Sequence, residues 1–130
     1  MRKRIALFIA TLCIWATSLL AQDVPVGVVV AFKKGSSQDL SRYLSDKVDL
    51  MLDSQNISTD RDATLHALTD FFSHNKVHGF NVNHQGKRND SSFVIGTLAT
   101  ANGDFRVNCF FRREQNKYIV HQIRIDKANE

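Results

Sequence analysis

The side chains able to do chemistry are few and dispersed. Histidines stand at His66, His74, His78, His84 and His121. His74 and His78 are four apart, which would align two imidazoles as metal ligands on one face of a continuing helix. Asn75, Lys76 and Gly79 predict that the helix stops first. No HExxH, cysteine pair or clustered carboxylate joins these histidines, so surface and hairpin positions account for them and no metal is expected. Cys109 sits in Val107-Asn108-Cys109-Phe110-Phe111 and reads as a small buried hydrophobe, not a nucleophile. There is no GxSxG, phosphate-binding glycine loop or nucleotide fingerprint, hence no expected cofactor and no catalytic residue. Lys87-Arg88 and Arg112-Arg113 are basic pairs beside turns, which solvated hairpin ends explain without nucleic acid. Asn56-Ile57-Ser58 and Asn89-Asp90-Ser91 match the glycosylation pattern, a short motif that recurs by chance.

The N-terminus carries a different kind of signal. Arg2, Lys3 and Arg4 precede the apolar, uncharged block from Ile5 to Trp15, and small residues lead to Ala21. This three-part order predicts a secretory signal peptide over 1–21, cleaved after Ala21, although Leu19 is larger than the residue preferred at its position. A membrane anchor is the alternative, since Ile5 to Gln22 is uncharged and just long enough to span; its small, polar end favours cleavage. The expectation is therefore export to the periplasm or beyond, with no stable membrane insertion afterwards. Loss of the leader leaves 14 of the 17 Lys and Arg against 13 Asp and Glu, and lowers the net charge from +4 to +1. The remaining 109 residues suit one domain over 22–126 with one modest core, followed by a polar tail at 127–130.

The patterning inside that domain changes period once. Asp23 and Pro25 can start a helix that Gly35 ends after Lys33-Lys34, with Val24, Val28 and Phe32 on one face. The run Val28-Val29-Val30 pulls toward strand; the start and stop signals favour helix. Ser36 or Ser37 opens a short second helix, with Leu40, Tyr43 and Leu44 as its apolar side. Val48, Leu50 and Leu52 alternate with Asp49 and Asp53 as a short strand. A helix starting between Thr59 and Asp62 carries Leu65, Leu68, Phe71 and Phe72. From Gly79 the period is two. A turn is expected at Gln85-Gly86, a hairpin at Asn102-Gly103 and a weaker turn at Gln115-Asn116, which joins four strands as a meander. Helices placed before an antiparallel sheet indicate an α+β domain.

A two-residue Asn102-Gly103 loop would pair Ala101 with Asp104 and Leu98 with Val107. One sheet face would then carry Val94, Leu98, Phe105, Val107, Cys109 and Phe111. The other would carry Phe93, Ile95, Phe110, Ile119, Ile123 and Ile125. Helices can cover only one face, so the other is expected to meet a second copy in a homodimer. A β-bulge that reverses the alternation is the rival, since it would hide both sets in one core.

The order of elements resembles the nuclear-transport-factor-2-like superfamily, in which helices and a curved sheet form a cone. Within it the chain resembles a branch of small exported bacterial proteins known as a domain of unknown function. The resemblance rests on Asp23-Val24-Pro25-Val26-Gly27-Val28, Asp70-Phe71-Phe72, His84-Gln85-Gly86, Ile95-Gly96-Thr97-Leu98, Gly103-Asp104-Phe105-Arg106-Val107 and Ile123-Arg124-Ile125. It implies the cone fold and export, and no activity. Isomerases of the superfamily would need a carboxylate in an apolar pocket beside hydrogen-bonding tyrosines. Asp49, Asp70, Asp104 and Asp126 read as solvated, and Tyr43 and Tyr118 as core aromatics.

The leading expectation is a non-catalytic module that binds a small apolar or acidic ligand or a partner protein; a small lyase or isomerase and a purely structural dimer are the alternatives. A ligand would enter the open end of the cone beside Phe72, against Phe105, Val107, Phe111 and Tyr118. Gln122 and Arg124 would serve as polar handles, with Arg124 clamping a carboxylate. The competing reading pairs Arg124 with a structural carboxylate.

Overall fold

The computed structural model describes residues 24–128. Helix α1 spans Val26–Lys34; Pro25 precedes it at φ −60°, and Gly35 ends it in the left-handed region at φ 66°. The Gly35 and Ser36 amides donate back to the Phe32 and Ala31 carbonyls, so the helix end is satisfied locally. Val28, Ala31 and Phe32 form its buried face. The β-branched run therefore sits in a helix, because local capping and burial outweigh a weak strand preference. The expected cap Asp23 lies outside the described residues.

Helix α2, Ser37–Ser41, is capped by Ser36, whose hydroxyl accepts from the Asp39 amide. Helix α3, Arg61–His74, is capped by Asp60, whose Oδ1 accepts from the Ala63 amide at 2.8 Å. Thr64, Leu68 and Phe72 recur every four residues and are its buried face. Thr64 ties α3 to the sheet by donating to the Val48 carbonyl at 3.2 Å and meeting the Ser58 hydroxyl at 2.6 Å. The helix ends at His74, so His74 and His78 share no helical face. Among the described residues, no helix is long and apolar enough to cross a membrane.

Six strands form one sheet: β1 Leu44–Leu52, β2 Gln55–Ser58, β3 Val77–Arg88, β4 Ser91–Thr100, β5 Gly103–Glu114 and β6 Lys117–Lys127, in the order β2-β1-β6-β5-β4-β3. The expected meander is present as β3 to β6. The sheet is mixed, not wholly antiparallel, because β1 returns alongside β6 in parallel. Strand β2 follows β1 through Asp53 and Ser54, both at positive φ, a turn that carries no glycine to announce it.

Two turns differ from expectation. The β3–β4 connection is at Asn89-Asp90, with Arg88 opposite Ser91, and not at Gln85-Gly86. Gly86 lies inside β3 because the Phe93 ring crosses it: a Cβ there would stand 2.7 Å from that ring. In the next hairpin Thr100 pairs with Gly103 and Leu98 with Phe105, two positions from the expected register. That pairing makes Ala101-Asn102 the two-residue loop, and Gly103, which follows it, has positive φ at 107°. An even shift leaves every side chain on its expected face. At the last hairpin both Gln115 and Asn116 have positive φ, the signature of a type I′ turn.

Among the described residues, all three helices lie on one face of the sheet, where Phe32, Leu40, Leu50, Leu68, Leu98, Phe111, Ile123 and Ile125 fill the core. Phe32 meets Phe72 edge-on at 6.5 Å and Phe80 at 5.2 Å, while Phe71 meets Phe105 edge-on at 5.1 Å. The result is an α+β cone.

Candidate functional site

The decisive local feature is a β-bulge in β6. Phe110 pairs with Gln122 and Phe111 with Val120, so His121 has no partner on β5. The extra residue reverses the alternation along β6. Tyr118 and Val120 face the helices before it; Ile123 and Ile125 face them after it, opposite Cys109 and Val107. Gln122 and Arg124, expected on the cone wall with Phe105 and Val107, are placed on the opposite, helix-free face by the same reversal. Ile123 and Ile125, expected on that outer face, are in the core.

The expected cone residues divide accordingly. Phe72, Phe105, Val107 and Phe111 are buried within the core cluster. Tyr118 packs against that cluster, and its hydroxyl is buried without a hydrogen-bond partner. Gln122 Nε2 lies 4.0 Å from Met51 Sδ. Arg124 Nε donates to Asp126 Oδ2 at 3.0 Å, which is the structural pairing weighed against a ligand clamp. Beside Phe71, at the edge of α3, an open cleft of about 420 Å³ is lined by Leu52, Ile57, Ala67, Asp70, His74 and Asn75. None of the seven expected ligand residues lines it. Among the described residues every Asp and Glu is exposed or half-buried, so the cone offers no carboxylate for isomerase-type proton abstraction.

The helix-free face is the more distinctive surface. By register it carries Phe93 opposite Phe110, Ile95 opposite Asn108, and Ile119 opposite Arg112, with Gln122 and Arg124 on the next strand. All but Arg112 are half-buried, although no helix among the described residues covers them. Between Ile95 and Arg124, the Asn108 Oδ1 is buried and has no hydrogen-bond partner. More exposed apolar residues exist at Val26, Val30, Ile57 and Val82, but these fall on α1, β2 and β3 and form no common strip.

At one end of the same face lies a cleft of about 510 Å³, lined by Lys47, Asp49, Thr59, Asp60, Arg112 and His121. His121 is held below the usual imidazole range, first by burial and then by the Arg112 charge, with Asp49 and Glu114 acting in the opposite direction. Sequence reasoning missed this cleft because His121 reads as one more strand histidine. The available signal is the parity change between the apolar pairs Tyr118/Val120 and Ile123/Ile125, which requires an extra residue between them. Cys109 is fully buried and its thiol is pushed far up by desolvation, which makes it inert. Among the described residues, no group of His, Cys, Asp and Glu could hold a metal ion.

The comparisons agree with this architecture. A protein of the family described as domain of unknown function DUF4783, from Bacteroides ovatus, is 59% identical with a TM-score of 0.81; the match covers 85% of this chain and 100% of that one. Another from Bacteroides fragilis is 67% identical with a TM-score of 0.79, covering 82% and 100%. A nuclear-transport-factor-2-like protein from Streptomyces avermitilis, 13% identical, matches 81% of this chain and 91% of its own at a TM-score of 0.63, a likeness of fold alone. No curated protein matches the sequence. The family model covers residues 26–126, and the chain belongs to the DUF4783 family.

Proposed function

We propose that this chain is an exported, non-catalytic binding module that works through the helix-free face of its sheet, with a second copy of itself as the first partner. The observation that carries this reading is the strip of Phe93, Ile95, Phe110 and Ile119, half-buried with no helix of the described residues over it. Contiguous apolar surface of this kind favours association over exposure to water. Asn108 adds a polar reason. Its buried, unpaired Oδ1 costs roughly 1–3 kcal/mol while it lacks a donor. An amide carries both a donor and an acceptor, so two copies of Asn108 near a two-fold axis can satisfy each other once their side chains turn outward. The lack of a carboxylate among the described residues of the cone supports the non-catalytic part. The leader pattern over 1–21 supports export.

The test is the mass of the mature chain, residues 22–130, by light scattering at micromolar concentration. The reading expects twice the chain mass, and Phe110→Glu is expected to halve it while the melting temperature stays near its original value. A native chain of single mass overturns it. Intact mass of the exported fraction, beginning at Gln22, tests the leader.

A second reading is favoured by one observation. The Tyr118 hydroxyl is buried on the helix-facing side without a partner. A small apolar ligand with one acceptor would satisfy it from the cone. Mass spectrometry of co-purified small molecules, lost in Tyr118→Phe, is the corresponding check.

A further inference from the structure

We infer that the cleft at the His121 bulge binds a small zwitterion, a molecule of dipeptide size that carries both a free carboxylate and a free ammonium. The cleft is built by a break in the sheet. Between Leu44 and Asp49, β1 advances five residues while their partners on β6, Val120 and Gln122, are only two apart. Strand β1 thus bows away from β6 where His121 is itself unpaired with β5. Both irregularities coincide at one place. Bulges re-aim side chains and commonly accompany binding sites.

The side chains that converge there come from separate elements. Lys47 and Asp49 are on β1, Arg112 on β5, His121 on β6, and Thr59 and Asp60 on the link to α3. Asp60 is committed to capping α3 through the Ala63 amide. Asp49, Lys47 and Arg112 make no ion pair within 4.0 Å among the described residues. The cleft therefore presents charge of both signs that is solvated and unpaired among the described residues. A plain anion meets repulsion from Asp49, and a plain cation meets repulsion from Lys47 and Arg112. A ligand with separated opposite charges avoids both conflicts. Arg112 can clamp its carboxylate through two parallel N–H bonds, with Lys47 as a second cation. Asp49 accepts from the ammonium. His121, its proton disfavoured by burial and by Arg112, offers one donor and one acceptor to a peptide group between the two ends. At about 510 Å³ the cleft is of small-molecule size.

This site lies at one end of the face that carries the apolar strip, and its readouts, dipeptide binding and the His121 shift, are distinct from the chain mass that tests the dimer. The experiment is calorimetric titration of the mature chain with alanylalanine, its N-acetyl form and its C-terminal amide, together with sodium acetate. The His121 ring resonances are followed by NMR as a local reporter. The unblocked dipeptide is expected to bind and shift His121, and each blocked form to bind about tenfold or more weakly, the loss of one charged hydrogen bond. Arg112→Gln is expected to abolish the preference for a free carboxylate, and Asp49→Asn the preference for a free ammonium, with unchanged melting curves. Equal binding of the blocked forms overturns the proposal, as does acetate binding as tightly as the dipeptide. No heat and no His121 shift at millimolar dipeptide also overturns it.

Discussion

Arg124 donates from Nε to Asp126 Oδ2 at 3.0 Å, two residues further along the same strand. The pair lies on the helix-free face and is partly solvated, with side-chain exposures of 42% and 26%. Such a pair contributes roughly 0–1 kcal/mol. Asp126 does more than its partner. Its Oδ1 also accepts from the Ser54 amide at 3.0 Å, which fastens the β1–β2 turn to the end of β6. Urea denaturation is therefore expected to show a small loss for Arg124→Met, within about 1 kcal/mol. Asp126→Ala is expected to lose about 1 kcal/mol more, because a turn amide is also left unpaired. Equal losses would mean that the Ser54 bond contributes nothing.

The β6 bulge makes a sharper prediction. Deleting His121 would remove the bulge and leave Tyr118, Val120, Ile123 and Ile125 in one continuous core-facing alternation. The deletion is therefore expected to keep cooperative unfolding in circular dichroism. His121→Ala keeps the residue count and is expected to cost no more than about 1 kcal/mol. A deletion variant that no longer unfolds cooperatively would contradict the assigned role of the extra residue.

The same bulge explains what could be read from the sequence. Strands β4 and β5 were legible because Val94, Leu98, Phe105, Val107, Cys109 and Phe111 alternate without interruption, and a two-residue error at Ala101-Asn102 does not change faces. Strand β6 was half legible: a single unbroken alternation carried from Tyr118 puts Gln122 and Arg124 in the cone, where the bulge does not leave them. Strand β2 was illegible, since Asp53 and Ser54 turn at positive φ without glycine and Gln55–Ser58 carries one apolar residue. The parallel pairing of β1 with β6 depends on a long-range return that no local pattern encodes. Gly86 misled because a glycine inside a strand that makes room for Phe93 looks, in sequence, like a turn.

Gly96 makes room in the same way on the core face. A Cβ there would collide with the Phe80 ring and lie 2.6 Å from the Asn81 carbonyl oxygen, which is backbone and cannot swing aside. Gly96→Ala is expected to destabilise by about 1–3 kcal/mol. Gly79→Ala, with nothing within 4 Å of the added carbon, is expected to be neutral or mildly stabilising. Thermal melts of the two variants give the comparison.

His121 should make stability depend on pH. Burial and Arg112 hold its pKa below 6.5 in the folded state, so the unfolded chain takes up the proton first as pH falls. The His121 contribution is therefore complete above pH 6.5 and is lost as pH drops toward the folded value. Arg112 opposes protonation, while Asp49 and nearby Glu114 favour it; Lys47 and Asp60 also line the cleft. An NMR titration of the His121 ring is expected to show a midpoint below 6.5, moved up in Arg112→Gln and down in Asp49→Asn. Shifts in the reverse sense would place these charges elsewhere.

The central claim is that two copies meet through the helix-free face, and isotope-filtered NOE spectroscopy on mixed labelled and unlabelled mature chain tests it most directly. Intermolecular NOEs are expected from the Phe93 and Phe110 rings, the Ile95 and Ile119 methyls and the Asn108 amide protons. Intermolecular NOEs confined to exposed Val26 and Val30 of α1 would contradict the claim, as would none from the sheet at concentrations where the chain has the mass of a dimer.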